Sequence, residues 1–325
     1  MTDVLIIGGG GMVGQKLAHL VADEGLGKTS APKVALFDLA FPENGAPAAR
    51  RVSGNATDAG PLRDLISHRP DTIFFLAAIV SGEAQSNFDL GWDVNLRAFL
   101  QFLELVRAEH LASGGSYVPR VVFTSSIAVY GAPFPAKIGD DFFHAPLTSY
   151  GAQKSSSELM LSDFSRKGFM DGISIRLPTI CVRPGKPNKA ASGFFSGIIR
   201  EPLNGVEAVL PVSTDVRHWH ASPRSAARFL RHAATLDTAL LQHRRALNLP
   251  GVSCTVEEQI EALRDIAGND VVALIKPQPD EAIMKIVEGW PRDFDPVRAK
   301  ALGFEAERNF KEIIQVYIDD DLNRC

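Results

Sequence analysis

Residues Val4–Gly14, with the sequence VLIIGGGGMVG, carry the strongest indication of the fold. Its four apolar residues predict a buried parallel strand, and the residues after the glycines predict an amphipathic helix. Gly8, Gly11 and Gly14 suit a turn that carries a pyrophosphate, because side chains there would hold the phosphates away from the backbone amides and the helix N-terminus. A strand, a glycine turn and a helix in this order predict a dinucleotide site, with a plain flexible turn as the alternative.

A second predicted strand, Lys33–Asp38, ends in a carboxylate at the distance from the glycines that suits a ribose-binding acid. An acid there accepts hydrogen bonds from both ribose hydroxyls and repels the 2′-phosphate of NADP. Because no arginine follows Asp38 directly, this carboxylate predicts NAD as the cofactor. A solvated loop aspartate is the alternative interpretation.

Tyr150 and Lys154 lie four residues apart in a segment rich in helix formers, so both side chains share one helix face. A free tyrosine has a pKa of about 10, and a neighbouring ammonium would lower that pKa towards the value of a useful base. Such a pair also arises by chance, and its specificity comes from its neighbours. The predicted strand Val121–Ser126 ends in hydroxyls, which could hold a substrate alcohol while Tyr150 takes its proton.

In this order the motifs resemble the extended short-chain dehydrogenases/reductases of the NAD-dependent epimerase/dehydratase family. Leu76–Ala78 after a strand, Asn95, Thr124–Ser126 and Arg176–Pro178 fall in the family's sequence order, and the match covers essentially the whole chain. The resemblance implies that Ser126, Tyr150 and Lys154 form the catalytic triad.

The resemblance also implies how NAD is held. Met12 and Val13 would lie against the pyrophosphate, and Asn55 with Ala56 would cup the adenine, although the family usually has an aspartate in place of Asn55. The strand ends contribute the remaining contacts. The full expected set is Gly8, Gly11, Met12, Val13, Gly14, Asp38, Asn55, Ala56, Leu76, Ala77, Ala78, Asn95, Tyr150, Lys154, Pro178, Thr179 and Ile180.

Alternating predicted strands and helices indicate a doubly wound parallel α/β sheet of the Rossmann type. Residues 1–178, with about 216–250, are expected to form the NAD-binding domain. Residues 179–215 and 251–325 are expected to form a smaller, discontinuous substrate lobe, with the active site in the cleft. By analogy with the family, helices near 91–109 and 149–167 predict a homodimer.

Composition and charge bear on the partners and the cellular compartment to be expected for this protein. The chain has 325 residues and a net charge of −4, which gives no basic surface for nucleic acid. Its three cysteines, Cys181, Cys254 and Cys325, are scattered and indicate a reducing cytoplasm. Because the given sequence starts almost directly in its first predicted strand and shows no apolar run of membrane length, we expect neither a signal peptide nor a membrane span.

Three residues outside the triad, Arg217, Lys186 and Asn188, are candidates for binding the substrate. Arg217 stands where family members place an arginine against a substrate anion, and a surface arginine is the alternative. Lys186 and Asn188, in the loop 184–189, could hold an anionic substrate or simply be solvated. His218 and His220 alternate on a strand, but two histidines do not make a zinc site, so no metal is expected. The acidic run 319–321 is interpreted as solvated surface.

The substrate class is inferred from what the chain lacks. Nucleotide-sugar members of the family carry an Asp-Gly turn before the arginine strand and an acidic pair after it. Neither occurs in 212–225. The chain therefore resembles the sugar-acid branch, which implies an NAD-dependent dehydrogenase that oxidises the 2-hydroxyl of a small, anionic polyhydroxy acid. Two alternatives stay open: a nucleotide-sugar epimerase or dehydratase with tightly bound NAD, and a non-catalytic dinucleotide-sensing regulator.

Overall fold

The computed structural model describes residues 3–185 and 191–322, which contain fourteen strands and thirteen α-helices. The strands are β1 (Val4–Ile7), β2 (Val34–Asp38), β3 (Arg50–Ser53), β4 (Thr72–Phe75), β5 (Arg120–Ser126), β6 (Ile138–Gly139), β7 (Asp171–Leu177), β8 (Thr179–Ile180), β9 (Ala208–Leu210), β10 (Arg217–Ala221), β11 (Ala246–Asn248), β12 (Val252–Thr255), β13 (Ile275–Pro277) and β14 (Phe294–Asp295). The helices are α1 (Met12–Glu24), α2 (Ala59–Ser67), α3 (Ser81–Ser86), α4 (Phe88–Trp92), α5 (Ala98–Ala112), α6 (Ser149–Arg166), α7 (Gly193–Leu203), α8 (Pro223–Thr235), α9 (Val256–Ala267), α10 (Asn269–Val272), α11 (Glu281–Glu288), α12 (Val297–Ala301) and α13 (Phe310–Tyr317).

Seven parallel strands form the main sheet, in the order β3-β2-β1-β4-β5-β7-β11. The chain moves outward from β1 to β3 and then crosses back to β4, so the strand order reverses between β1 and β4. Ligands of open α/β sheets bind at this reversal, beyond the carboxyl ends of the strands. The predicted doubly wound α/β fold is confirmed.

Helices cover both faces of the main sheet, which explains why its inner strands are apolar at consecutive positions. Alternate residues of β1 therefore pack on opposite faces of the sheet. Val4 and Ile6 pack in a core with residues of α1 and α8, whereas Leu5 and Ile7 pack with residues of α2, α5 and α6. A third core lies in the second half of the chain and includes residues of α7, α9 and α13.

Residues 216–250, which are expected to belong to the NAD-binding domain, contain strands of two different sheets. Strand β10 pairs with β8 and β12 in a three-stranded sheet, and only α8 and β11 return to the main sheet. The physical reason lies at Pro178, between β7 and β8. Proline has no N–H for a strand ladder, and the chain leaves the main sheet there to pair with β10.

The acidic run near the C-terminus is not merely solvated surface, as the sequence suggested. Asp320 lies 2.6 Å from the guanidinium of Arg224 on α8, and Asp321 lies 2.9 Å from the ammonium of Lys16 on α1. These ion pairs attach the π-helical turn Ile318–Leu322 to the helices that cover one face of the main sheet. Within the described residues, none of the helices combines the length and the apolar composition that crossing a membrane requires.

Candidate active site

The glycine turn after β1 is packed too closely to accept side chains. Gly8 has a φ of +90°, and a Cβ there would lie 2.6 Å from the backbone nitrogen of Ala77. A Cβ at Gly14 would lie 2.3 Å from the carbonyl oxygen of Gly8. The turn therefore brings its bare backbone and the N-terminus of α1 to the sheet's reversal point. This is the cradle that a dinucleotide pyrophosphate needs, so these residues fit NAD.

Asp38 ends β2 beside this turn. Its carboxylate accepts hydrogen bonds from the backbone N–H of Gly10, at 2.8 Å, and of Leu39, at 2.7 Å. Asn55 and Ala56 follow the neighbouring strand β3; Asn55 is exposed and Ala56 is buried. The structure thus places these three predicted residues at the same edge of the sheet as the glycine turn.

A cavity of about 310 Å³ lies between the glycine turn and the chain around α7. One wall contains cofactor residues predicted from the sequence, and the other contains residues that sequence reasoning missed, including two arginines. The lining residues are Gly8, Gly11, Met12, Val13, Gly14, Leu76, Val80, Arg183, Pro184, Gly193, Ser196 and Arg200. The sequence signal for Arg183 was its place directly before the Pro184-Gly185 turn, next to the loop already suspected of binding an anion.

Helix α6 brings Tyr150 to the end of β5. Thr148 caps the helix by accepting a hydrogen bond from Gly151 N at 3.1 Å, and a Cβ at Gly151 would lie 2.1 Å from Ala128 O. Close packing on the turn after β5 brings the Ser126 hydroxyl to the side of the Tyr150 phenol. Burial raises the pKa of Tyr150 to about 12, while the Ser126 hydroxyl and the charge of Arg183 oppose this rise.

Lys154 lies one turn further along α6 and is almost fully buried. Its ammonium donates a hydrogen bond to Thr124 O at 2.8 Å and lies 4.6 Å from the centroid of the Phe123 ring. Burial lowers the pKa of Lys154 to about 7, and Glu158 partly opposes this. The effect expected of the Lys154 ammonium on the pKa of Tyr150 stays a prediction, since the groups that oppose the rise here are Ser126 and Arg183.

Glu158 joins α6 to β7 beneath the active site. Its carboxylate accepts hydrogen bonds from Arg176 Nε at 3.0 Å and Nη2 at 2.7 Å, and also from the hydroxyl of Ser125. All three side chains are buried. A buried ion pair with several hydrogen bonds fixes the helix that carries Tyr150 against the sheet.

Asn95 occupies a π-helical turn, Asp93–Arg97, between α4 and α5. Its side-chain oxygen accepts from Ile79 N at 2.9 Å, and its amide donates to Gln153 Oε1 at 2.8 Å. It therefore ties the loop after β4 to α6. Asn95 was predicted as an NAD contact, and here its side chain braces this loop against the helix of Tyr150 and Lys154.

Pro178, Thr179 and Ile180 follow β7 at the same end of the sheet, and the Thr179 hydroxyl bonds to His218 Nε2 at 2.6 Å. His218 Nδ1 contacts Pro291 O at 2.7 Å, and burial lowers the pKa of His218 to about 4. A carbonyl oxygen only accepts, so Nδ1 carries the proton and the threonine hydroxyl donates to Nε2. In the described part of the chain, no group of three or more His, Cys, Asp or Glu side chains is arranged to hold a metal.

The structure does not place Arg217 where a substrate clamp was expected. Its guanidinium pairs with Glu258 at 3.2 Å, donates to Ser253 O at 3.2 Å, and is absent from the cavity lining among the described residues. Its charge is already balanced at the surface. Lys186 and Asn188 lie outside the described residues.

Known proteins match this chain over most of its length. The NAD dependent epimerase/dehydratase family matches residues 4–220. A D-erythronate dehydrogenase of Cupriavidus necator is 44% identical over 98% of both chains, and one of Haemophilus influenzae is 40% identical over 98% of this chain and 99% of its own. A solved structure from Agrobacterium tumefaciens, described as a nucleoside-diphosphate-sugar epimerase, is 54% identical with a TM-score of 0.93, covering 99% of this chain and 95% of that one.

Proposed function

The chain belongs to the NAD-dependent epimerase/dehydratase family. We propose that it oxidises the 2-hydroxyl of a small sugar acid, such as D-erythronate, to the 2-oxo acid. The observation that carries the proposal is the nearly full-length match to two relatives named D-erythronate dehydrogenase. The lack of both nucleotide-sugar motifs in 212–225 supports the same substrate class.

The proposed catalytic residues are Ser126, Tyr150 and Lys154. NAD, when bound, supplies the acceptor for the hydride that leaves C2 of the substrate. Ser126 holds the alcohol oxygen, and Tyr150 takes the hydroxyl proton. Because burial raises the pKa of Tyr150, its phenolate needs the Ser126 hydrogen bond and nearby positive charge to form. Lys154 supplies positive charge 5.6 Å from the tyrosine ring whenever it is protonated.

The proposed NAD site consists of the residues predicted from the sequence. Gly8, Gly11, Met12, Val13 and Gly14 would hold the pyrophosphate at the turn. The carboxyl ends of the neighbouring strands would supply the ribose, adenine and nicotinamide contacts. These residues are Asp38, Asn55, Ala56, Leu76, Ala77, Ala78, Asn95, Pro178, Thr179 and Ile180.

The test is NADH absorbance with purified protein, NAD and a panel of four-carbon sugar acids. We expect rapid turnover on D-erythronate or a close stereoisomer, and little turnover when NADP replaces NAD. No NADH with any acid in the panel would contradict the proposal.

A nucleotide-sugar epimerase is the second candidate, favoured by the description of the 54% identical solved structure. An epimerase retains its NAD through the cycle and produces no net NADH. Tightly bound NAD in the purified protein, together with interconversion of a nucleotide sugar, would favour this candidate over the dehydrogenase.

We propose that the working unit is a homodimer formed through α5 and α6. Each of these helices carries an exposed leucine, Leu111 on α5 and Leu159 on α6, and Leu159 is 68% exposed. Large apolar side chains on neighbouring helix faces favour association. Light scattering should give twice the chain mass, and Leu159→Glu should shift it towards the monomer. A monomeric wild-type protein would contradict this.

We also propose two functional lobes and a cytoplasmic location. Residues 1–178 and about 222–250 would bind NAD, and 179–215 with 251–325 would bind substrate; the cavity between the glycine turn and α7 supports this division.

Cys181 and Cys254 are buried free thiols, as suits a reducing compartment. Limited proteolysis and fractionation of the source cells test the two proposals separately.

A further inference from the structure

The cavity beside the glycine turn has two walls of different character. One wall is the bare backbone of the turn, with Gly8 and Gly11, at the N-terminus of α1. The other wall carries Arg183 and Arg200, which are the only charged side chains among the described residues that line the cavity. The positive charge that a ligand meets in this cavity therefore comes from the wall opposite the motif that predicted the dinucleotide site.

The pyrophosphate of NAD needs such a charge. It carries one negative charge on each phosphate group, and the glycine turn offers it only backbone N–H groups and the dipole of α1. Lys16 lies on α1 as well, but its ammonium pairs with Asp321 at 2.9 Å. The balancing charge must therefore come from elsewhere, and a guanidinium suits phosphate oxygens because it can form two parallel hydrogen bonds with them.

We infer that Arg183 binds the pyrophosphate of NAD from the side opposite the glycine turn, so that the two phosphates lie between this turn and the segment after β8. The inference rests on the NAD site proposed above and is independent of which sugar acid the protein oxidises. The reacting groups Ser126, Tyr150 and Lys154 are absent from the described lining of the cavity. An anion bound there therefore lies at the cofactor phosphates rather than beside the reacting carbon.

The side chain of Arg183 is fixed in place with its charge unbalanced. Its Nε donates to Ile180 O at 3.0 Å, and its Nη2 donates to Ser192 Oγ at 2.7 Å. Within residues 3–185 and 191–322, its side-chain hydrogen bonds go to these neutral oxygens and none goes to a carboxylate, while Nη1 is left to donate to a ligand. A charge that is already positioned at a cavity binds an anion with little loss of side-chain entropy.

Arg200 is a positioning residue for Arg183. Its own charge is balanced by Glu201 at 2.5 Å, and its Nη1 donates to Arg183 O at 2.7 Å. The backbone N–H of Arg183 donates to Ser196 Oγ at 3.0 Å. Helix α7 contributes both Ser196 and Arg200, so it holds the backbone of Arg183 at the cavity wall and leaves the guanidinium as the group that meets the phosphates.

The experiment measures the binding of NAD, ADP-ribose and adenosine in the absence of substrate, on protein freed of nucleotide with charcoal. ADP-ribose keeps the pyrophosphate, and adenosine lacks it. Wild type, Arg183→Met and Arg183→Lys are compared, with Arg264→Met as the matched control because Arg264 forms a surface ion pair with Glu261. Isothermal titration calorimetry gives the Kd of NAD and ADP-ribose, and ligand-observed NMR gives that of adenosine.

We expect Arg183→Met to raise the Kd of NAD and of ADP-ribose by about 10- to 100-fold, because each loses a hydrogen-bond partner of opposite charge. The Kd of adenosine should stay within about 2-fold of wild type, as should all three constants in Arg264→Met. Arg183→Lys should lose less affinity than Arg183→Met, because it keeps the charge without the fork.

Unchanged affinity for NAD and ADP-ribose in Arg183→Met would overturn the inference, and a raised KM for the sugar acid in that variant would assign the arginine to the substrate. Equal losses on adenosine and ADP-ribose, with a lower melting temperature of the nucleotide-free protein, would show a structural role instead. Wild-type protein that binds no NAD would overturn both the inference and the proposed function. Because binding is measured without substrate, a lack of sugar-acid oxidation alone would overturn only the proposed function.

Discussion

The ammonium of Lys154 donates a hydrogen bond to the carbonyl oxygen of Thr124 at 2.8 Å. This bond ties the middle of α6 to the end of β5, the strand that presents Ser126. The lysine therefore fixes the relative position of Tyr150 and Ser126 even when it carries no net charge. The positive charge of Lys154 is present only when the amine is protonated, and burial lowers the pKa of this group to about 7.

Replacing Tyr150 with phenylalanine should reduce turnover by at least about 1,000-fold, because the reaction loses its proton acceptor. The phenyl ring keeps the packing of the helix start, so NAD affinity should change little. NADH formation and an NAD fluorescence titration measure the two effects. Wild-type rates in the variant would rule out the proposed base.

The stability of the cofactor-free protein should report the lowered pKa of Lys154. Between pH 7 and the ordinary pKa of lysine near 10.5, the unfolded chain holds a proton on this residue that the folded protein lacks. Stability from this residue therefore rises with pH across that window. In urea unfolding at pH 7.5 and 9.5, the free energy of unfolding of the wild type should increase relative to that of Lys154→Met as the pH rises. A constant difference between the two proteins would contradict the lowered pKa of Lys154.

Gly14→Ala and Gly11→Ala should separate packing from cofactor binding. A Cβ at Gly14 would lie 2.3 Å from Gly8 O, whereas one at Gly11 meets its nearest atom at 3.6 Å. Gly14→Ala should therefore cost about 1–3 kcal/mol of unfolding free energy and weaken NAD binding. Gly11→Ala should leave the melting temperature nearly unchanged while weakening NAD binding, because Gly11 lines the cavity. Equal melting temperatures for both variants would argue against the packing described.

Glu158→Gln should destabilise the protein by about 3–5 kcal/mol, because the charge of Arg176 would stay buried without its partner. Glutamine keeps the shape and one acceptor oxygen, so the loss measures charge more than packing. Asp163→Gln, which disrupts an exposed ion pair with Arg166 on the same helix, is the control and should cost less than about 1 kcal/mol. Similar losses for both variants, from urea unfolding, would mean that the buried pair adds no more than a surface pair.

Most of the fold and the reacting side chains followed from local sequence patterns. The apolar run Val4–Ile7 and the glycines after it specify a strand and a bare turn, whatever lies elsewhere in the chain. The four-residue spacing of Tyr150 and Lys154 specifies one helix face, and α6 is observed at Ser149–Arg166. The three-stranded sheet of β8, β10 and β12 was missed, because strands of two to five residues carry little periodicity to detect.

The doubly wound fold, the dinucleotide turn and the choice of Tyr150 could be predicted from the sequence, since these depend on residue types at short, fixed spacings. Which arginine faces the cavity, and which side chains are buried as ions, became visible only in the folded protein. Arg217 is neutralised by Glu258, 41 positions away, while Arg183 is held by α7 at the cavity wall. Desolvation and ion pairing depend on neighbours brought together by folding, and no local pattern encodes them.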